Sequence, residues 1–484
     1  MKKQLLTFCF FIPGLAIAEP WIDTRNAWLR ADIEYLSDLG VITAPVTSWP
    51  LTWAPIIQDL ENADTSLLSK QDLLIFKRVK RQGKYQTKLK THSYLSLKAG
   101  NQERILRHFG DDRREEAEIT SKTTGMSKHF AWNIEATRAV DPIDGEEYRL
   151  DNSYLAAIWG NWIYSAGVIE RWWGPGWDSS LILSNNARPV PGLSIQRNYS
   201  DPFESKWFSW IGPWSLTAFA GQLESDRFVP RAKLLGMSIN FKPFDSLEIG
   251  LRRTAQWGGK DRPESLSSFW DLLIGRDNCD ELEGGCTADR SNEPGNQLAG
   301  IDLNWRLPTP SYQGSVYLQL IGEDEAGYLP SRKVHQFGYK RNFQFYGMSV
   351  TSYLEYADTE NDERTNLTYN NSIYQTGYRT EGRSIGSTYD NDTQSIALGF
   401  VASHRNGDKF KVRLANVDLN NDGVAGNHSI NQKAVSFNQL EVQYQKPTRY
   451  GLLGIQLEAK DERIDSFGYQ DDKYNVSLSW MMEL

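Results

Sequence analysis

From about residue 90 to its end, the chain alternates apolar and polar residues along one ten-residue segment after another. In FAWNIEATRAV, Phe130, Trp132, Ile134 and Ala136 alternate with Ala131, Asn133, Glu135 and Thr137. The same pattern runs through LLGMSINFK, QLAGIDLNWRL, NQLEVQYQ, GLLGIQLEAK and YNVSLSW. Strands with one apolar and one polar face produce this period of two. Their length suits a tilted strand that crosses a membrane, and the repetition outlasts what one soluble β-sandwich normally sustains.

The last segment, YNVSLSWMMEL, keeps its alternation to the end of the sequence. Tyr474, Val476, Leu478, Trp480, Met482 and Leu484 share one face. A membrane barrel must pair its final strand with its first, because no unpaired backbone edge can face lipid. At roughly 20–24 residues per strand and connection, the region holds about sixteen to eighteen antiparallel strands. The lumen of such a barrel is open unless something fills it.

The N-terminal residues indicate export. Lys2 and Lys3 precede the apolar stretch LLTFCFFIPGLAIA, and Ala16-Ile17-Ala18 offers small residues at a cleavage position, which predicts a signal peptide over residues 1–18. The remaining sequence contains no run of about 18 apolar residues that could form a spanning helix. A net charge of −8 argues against nucleic-acid binding through a basic face, and the 17 Trp and 22 Tyr suit the aromatic girdles of an outer-membrane barrel.

Residues 19–90 follow a helical period instead. In NAWLRADIEYLSDLGVI, Leu29, Ile33, Leu36 and Leu39 form one stripe, with Gly40 as a C-cap. WAPIIQDLENAD predicts a second helix, and SKQDLLIFKRVKRQGKY a third with Ser69 and Asp72 at capping-box positions. We expect a small helical bundle over 19–90 that plugs or caps the periplasmic side of a barrel over 91–484. A separate periplasmic domain is the alternative.

Two further motifs concern cross-links and metals. Cys279 and Cys286, in RDNCDELEGGCTADR, predict a loop disulfide in an exported protein; half of a metal site is the alternative, but no histidine lies nearby. DLNNDG, residues 418–423, resembles the first half of a calcium loop, but Ser429 occupies the position of the final glutamate, which favours a tight turn. We expect no metal and no cofactor.

The stretch ERWWGPGWDSSLILSNNARPVPG, residues 170–192, concentrates tryptophans on a bend. Trp172, Trp173 and Trp177 lie within six residues and are interrupted by Gly-Pro-Gly. A helix interior does not tolerate this interruption, and a plain strand would lose ladder hydrogen bonds there. The sequence therefore predicts an irregular bend that carries three rigid aromatic side chains.

The stretch from Gly167 to Asn198, GVIERWWGPGWDSSLILSNNARPVPGLSIQRN, together with WFSWIGPWSLTAFAGQLESDR, resembles the Wzi family of capsule-assembly outer-membrane proteins. The helical start with RADIEYLSDLGVI and the overall length fit the same family. The resemblance implies an eighteen-stranded barrel with an N-terminal helical bundle at the periplasmic side. It also implies a lectin-like, non-enzymatic protein that holds capsular polysaccharide at the cell surface without exporting it.

The residue types fit such a role, and the resemblance also suggests a monomer whose partners are capsular polysaccharide and outer-membrane lipid. Sugars present apolar C–H faces ringed by hydroxyl groups, which indole faces and a few fixed polar groups can bind. An acidic sugar adds a carboxylate, which a guanidinium can bind through two hydrogen bonds. The candidate polysaccharide-binding residues are Arg171, Trp172, Trp173, Trp177, Asp178, Arg188 and Arg197. The alternative is that the tryptophans pack the bend inside the barrel or lie in an interfacial belt, with Glu170 and Arg171 as a lumen ion pair.

Two other function classes use the same scaffold. A substrate-selective diffusion porin fits the polar lumen pattern, and acidic loops could steer cations towards it. An enzyme would need a nucleophile or activated water, a base and an orienting group that converge. The six histidines, at positions 92, 108, 129, 335, 404 and 428, are scattered and show no catalytic spacing. We therefore expect a non-enzymatic outer-membrane protein, with the porin as the alternative.

Overall fold

The fold is taken from a computed structural model. It describes residues 19–88, 90–274, 285–287, 292–307, 313–323, 325–326, 329–330, 333–360, 368–426, 428–466 and 469–484. The predicted signal peptide, residues 1–18, and Cys279 lie outside the described residues. The disulfide between Cys279 and Cys286 therefore stays a prediction.

The strands close into an eighteen-stranded antiparallel barrel, which confirms the predicted fold class. Strands β1–β9 are His92–Gly100, Ala117–Met126, Phe130–Val140, Tyr154–Trp159, Trp162–Gly167, Gly192–Arg197, Trp214–Gln222, Lys233–Phe244 and Leu247–Trp257. Strands β10–β18 are Gly295–Arg306, Gln313–Glu323, Lys333–Phe345, Met348–Asp358, Thr393–His404, Lys409–Leu419, Val435–Thr448, Gly451–Lys460 and Tyr474–Glu483. Each strand pairs with its sequence neighbour, and β18 pairs with β1 in the register Ser477↔Gly100 to Glu483↔Tyr94. This pairing removes the backbone edge, as a membrane barrel requires.

The alternation read from the sequence separates the two faces of the wall. In β3, Phe130 and Ile134 are 64% and 56% exposed on the outer face, whereas Asn133 and Glu135 are buried on the inner face. Because successive side chains of a strand point to opposite faces, the apolar set meets lipid and the polar set meets the lumen.

The two ends of the barrel differ in their connections. Turns of a few residues, such as 127–129, 160–161, 245–246 and 346–347, join strands at the end where β1 begins and β18 ends. Long connections leave the other end, including residues 101–116, 168–191 and the stretch from 359 to 392. Barrels of this class have short periplasmic turns and longer extracellular loops, so the first end is periplasmic.

Three helices precede the barrel: α1, Ala27–Asp38; α2, Trp53–Asn62; and α3, Lys70–Gln86. The Asn26 side chain caps α1, and Gly40 follows the helix with a φ of +77°. Ser69 and Asp72 form the predicted capping box at the start of α3. Within the described residues, no helix has the length and apolar character needed to cross a membrane.

Helix α1 and three inward-folded loops lie in the lumen; α3 packs on α1, and α2 packs on α3. Buried residues of α1, α2 and α3 form one apolar cluster with Phe109, Trp172 and Trp177 from the loops and with Tyr353 and Val401 from the wall. Two-residue ladders tie the parts together: Trp21–Ile22 with Leu51–Thr52, Ser48–Trp49 with Trp172–Trp173, and Arg379–Thr380 with Arg383–Ser384. Helix α1 therefore lies directly against the wall, and Lys340 of β12 pairs with its Glu34 at 2.7 Å.

Candidate functional site

The tryptophan bend, residues 170–192, lies inside the lumen. Its Trp172 and Trp173 pair with Trp49 and Ser48 of the N-terminal segment in a short antiparallel ladder. Trp172, Trp173 and Trp177 are each at most 2% exposed. The Trp172 indole donates to the Gly176 carbonyl at 2.9 Å, which folds the bend back on itself. Of the two alternatives for these indoles, packing inside the barrel describes their position.

The glycines of the bend let the barrel wall approach the backbone. A Cβ atom at Gly174 would lie 2.6 Å from the side-chain nitrogen of Gln319 on β11, and one at Gly176 would clash with Gln336 on β12 and with the Ser179 carbonyl. Gln319 accepts from the Leu181 backbone at 2.7 Å and donates to the Trp173 carbonyl at 2.9 Å. Glycine is therefore needed where polar wall side chains hold the bend by its main chain.

Two ionisable side chains, one from the wall and one from α1, hold the bend from opposite sides. Glu355 of β13 accepts hydrogen bonds from the backbone nitrogens of Trp177 and Asp178. From the opposite side, the Arg30 guanidinium of α1 lies 4.2 Å from the ring centre of Phe109 and 4.3 Å from that of Trp177. Arg30 also donates to the Pro175 carbonyl at 2.7 Å. The bend is thus held between the wall and the first helix.

Asp178 is an ion-pair partner of the wall. It is buried, pairs with Arg413 of β15, and accepts from the Tyr389 hydroxyl at 2.6 Å. Burial raises the pKa of the Asp178 carboxyl, but the Arg413 charge outweighs this and lowers the pKa to about 2. Burial, together with the Arg413 charge, lowers the pKa of the neighbouring His108. The carboxylate therefore stays charged and fixes the bend in place.

Arg171 and Arg188 lie near the extracellular end. Arg171 stacks on Phe219 at 4.5 Å and donates to the Ile169 carbonyl, and burial lowers its pKa to about 10. A small cavity of about 30 Å³ lies beside both arginines and Glu170. Arg188 forms ion pairs with Asp144 and Asp151 at 3.0 Å each, and 18% of its side chain is exposed.

An acidic rim surrounds Arg188. Burial, and then the charges of Glu224 and Asp144, raise the pKa of Glu381 on the loop between β13 and β14. Glu224 accepts from the Thr380 hydroxyl at 2.7 Å, and the nearby Phe228 is 60% exposed. We call these four residues, Asp144, Arg188, Glu224 and Glu381, the outer rim cluster.

Arg197 is distant from this cluster because it ends β6 at the periplasmic end. Its guanidinium lies 3.9 Å from the ring centre of Trp214 and donates to the Asp201 carbonyl. The exposed Trp207 and Trp210 belong to the same periplasmic loop. The seven candidates therefore divide between the lumen, the outer rim and the periplasmic rim, and do not form one site.

A tyrosine-rich loop that sequence reasoning did not single out covers the bend. It begins at Tyr369, whose hydroxyl donates to the Leu181 carbonyl at 2.5 Å, and Tyr378 donates to the Ile182 carbonyl at 2.8 Å. Tyr374 and Tyr389 of the same loop are also buried. The four tyrosines between residues 369 and 389 mark this loop in the sequence as the tryptophans mark the bend. The sequence does not show that Tyr369 and Tyr378 contact the bend, because that segment lies almost 200 positions earlier.

One group of described side chains has the composition of a metal site. His108, Asp111 and Glu441 bring ligand atoms within 4.8 Å of one another. Arg104 lies 2.7 Å from Asp111 and 2.6 Å from Glu441, and Lys411 lies 3.1 Å from Asp111. These cations already neutralise both carboxylates, so the group does not need a metal ion to balance its charge.

A polar cavity of about 640 Å³ lies between α1 and the wall at the periplasmic half of the lumen. The loop residues Gly110 to Arg113 form part of its lining. Arg25 pairs there with Glu135, and Lys98 pairs with Asp112 at 2.8 Å. Charge in the cavity is thus largely balanced within the protein.

Comparisons with known proteins agree with this architecture. A family model described as capsule assembly protein Wzi matches residues 82–476. The outer-membrane protein Wzi of Escherichia coli, described as a carbohydrate-binding β-barrel involved in group 1 capsule assembly, superimposes with a TM-score of 0.83. It is 27% identical, and the match covers 97% of this chain and 99% of that one.

A curated sequence relative is a 55.8 kDa protein in the cps region of Klebsiella pneumoniae, itself uncharacterised. It is 34% identical over 343 residues, which span 70% of this chain and 64% of that protein. The aligned part thus covers somewhat less than two thirds of this relative.

Proposed function

This chain belongs to the Wzi family of capsule assembly proteins, and from that premise we propose that it binds capsular polysaccharide and retains it at the cell surface. The observation that carries the proposal is the match of the whole fold, over 97% of the chain, to a carbohydrate-binding β-barrel. The chain is an outer-membrane β-barrel. We further propose that it acts without catalysis, as a monomer, with residues 19–90 closing the barrel of residues 91–484.

The contents of the lumen support a binding role over diffusion. Helix α1, the tryptophan bend and the tyrosine-rich loop pack together in the barrel, and Trp172, Trp173 and Trp177 are buried among them. A diffusion porin needs a continuous water-filled passage, whereas a binding protein needs rigid loops. The porin alternative is therefore not favoured.

Of the seven candidate residues, we propose Arg188 as the direct contact with polysaccharide. It lies at the extracellular end with part of its side chain exposed, and Asp144 and Asp151 hold its guanidinium in one orientation. Because Asp144 and Asp151 already balance its charge, the oriented guanidinium suits sugar hydroxyl groups, which its remaining N–H donors can bind with little loss of side-chain entropy. Each such contact is worth about 1.5–3 kcal/mol, so firm retention would come from many repeat units on many copies of the protein.

The other candidates would act differently. The three tryptophans and Asp178 would support the loops from below, and Arg171 would contribute where the small cavity meets the outer rim. Arg197, at the periplasmic end, would not contact surface polysaccharide. This division makes Arg197 a matched control for Arg188.

A glycan array with detergent-solubilised protein tests the proposal. We expect the wild-type protein and Arg197→Ala to bind the same glycans and Arg188→Ala to bind them more weakly, while all three remain folded barrels. In cells, deletion should release capsule into the medium without stopping its synthesis. Normal cell-attached capsule in the deletion strain would reject the function, whereas equal binding by Arg188→Ala would reject only the residue.

A further inference from the structure

Helix α4, Leu266–Leu273, lies on the outer surface of the barrel. The Ser265 side chain caps its first turn by accepting from the Ser268 backbone. The alternation in β9 directs Arg252 into the lumen, where it pairs with Asp302, and directs Arg253 outward. The outward Arg253 side chain donates to the carbonyls of Leu272 and Leu273, at the end of α4. These bonds attach the helix to the lipid-facing side of the wall.

The attachment removes a charge from contact with lipid. An arginine on the lipid-facing side costs about 2–4 kcal/mol at the membrane midplane and less towards the interface. Arg253 also donates to the Gln297 side chain at 2.8 Å, so wall and helix together satisfy the guanidinium. The last carbonyls of α4, which have no intrahelical partners, are satisfied at the same time.

The helix has apolar residues on two sides. Leu272 is buried against the wall, and Phe269 meets Trp257 edge to face at 5.5 Å. On the other side, Leu266 is 84% exposed and Trp270 59% exposed. Large apolar side chains on both sides of a short helix are unfavourable in water and favourable at the level of acyl chains and lipid headgroups.

Between α4 and the wall lies an apolar groove of about 550 Å³. Small outward residues of β7, Ala218 and Ala220, leave the space, and Leu193 and Met237 flank it. Leu193 and Met237 belong to the outward-facing apolar band, with exposures of 66% and 40%. The groove is therefore continuous with the surface that meets membrane lipid.

We propose that this groove binds an acyl chain of an outer-leaflet lipid, which α4 covers from the membrane side. The extracellular position follows from Trp257, which ends β9 at the end of the barrel opposite the short turns. An acyl chain matches the apolar lining, and the groove between α4 and the outward strand side chains is narrow enough to hold one chain. The occupant is thus a single lipid held longer than the lipids around it.

The test counts lipids that stay bound to the purified protein. Wild-type protein reconstituted in vesicles of palmitoyl-oleoyl phosphatidylcholine, extracted and stripped with detergent, is expected to keep one lipid in native mass spectrometry. Ala218→Trp fills the groove from an outward position and should lose that lipid. Ala157→Trp, also outward but on β4 and outside the groove, should keep it.

A second measurement addresses the position of α4. A bimane label on Trp270→Cys should be quenched by lipids that carry a nitroxide on the acyl chain, and Arg253→Leu should weaken the quenching as the helix detaches. Folding is checked for every variant by the heat-dependent electrophoretic mobility typical of such barrels. Retention of the lipid by Ala218→Trp, or its absence from the wild-type protein, would overturn the proposal without affecting polysaccharide binding.

Discussion

The Arg30 guanidinium lies 4.3 Å from the ring centre of Trp177, so the first helix rests directly on the tryptophan bend. The same guanidinium donates to the Glu34 carboxylate at 2.6 Å and to the Pro175 carbonyl at 2.7 Å. One side chain thereby connects the N-terminal helices to a loop that begins almost 140 residues later. Contacts of this kind fill and close the lumen.

Arg30→Lys is expected to destabilise the protein. An ammonium group cannot donate to Glu34 and Pro175 and stack on two rings at once, and loss of one charged hydrogen bond costs about 1.5–3 kcal/mol. Scanning calorimetry in detergent should show a lower midpoint. Arg81→Lys, at an exposed position of α3, is the control and should leave the midpoint unchanged.

Trp173→Ala should cost about 3–5 kcal/mol, because it removes a fully buried indole from a packed cluster. Trp207→Ala, at a residue that is 84% exposed on the periplasmic rim, should cost far less. Tryptophan emission during thermal unfolding measures both. Equal effects of the two substitutions would contradict the burial of the bend.

The ion pair of Asp178 predicts a loss of stability in acid. The pKa of its carboxyl is lowered in the folded protein, so the stabilisation is complete above the ordinary value of 3.8 and is lost as the pH falls towards about 2. Melting temperatures measured across this range should fall. Asp178→Asn should melt lower at neutral pH, because it leaves the Arg413 charge buried, and should show a smaller dependence on pH over the same range.

Gly176→Ala should disturb closure of the lumen, since a Cβ atom there clashes with Gln336 and with the Ser179 carbonyl. Relief of the clash requires the bend to move away from the wall, at a cost of about 1–3 kcal/mol. In planar bilayers we expect no steady current from the wild-type protein and intermittent current from Gly176→Ala.

Gly160→Ala is the control for this experiment. Its φ of +57° makes alanine unfavourable by about 1–2 kcal/mol, but nothing lies within 4 Å of the added Cβ atom. This substitution should therefore lower the stability of the protein without producing a current across the bilayer. A large steady current from the wild-type protein would instead return the porin to consideration.

Much of the fold could be predicted because its causes are local. The alternation over Phe130–Val140 indicated both the strand and the faces of its side chains, and Ser69 with Asp72 marked the start of α3. The turn at Asn420–Gly423, favoured over a calcium loop, is closed by a hydrogen bond from Gly423 to the Asn420 carbonyl. Neighbouring residues suffice to specify each of these features.

The candidate site was less predictable because its partners are distant in sequence. The residue types of the bend identified a special segment, but not that Asp178 pairs with Arg413, 235 positions away. Arg188 and Arg197 are nine positions apart and lie near opposite ends of the barrel, since β6 separates them. Sequence spacing could not reveal that separation without the strand direction.

The sequence by itself determined the strands, their inner and outer faces, the helix caps and the family, because periodicity and capping act over a few residues. Only the tertiary structure decided that the tryptophans are buried, that Arg188 reaches the outer rim, and that α4 lies outside the wall. These outcomes depend on which distant segments meet once the barrel closes. Polar wall residues such as Gln319 and Glu355 then bind the backbone of the tryptophan bend, and no local sequence pattern specifies these partners.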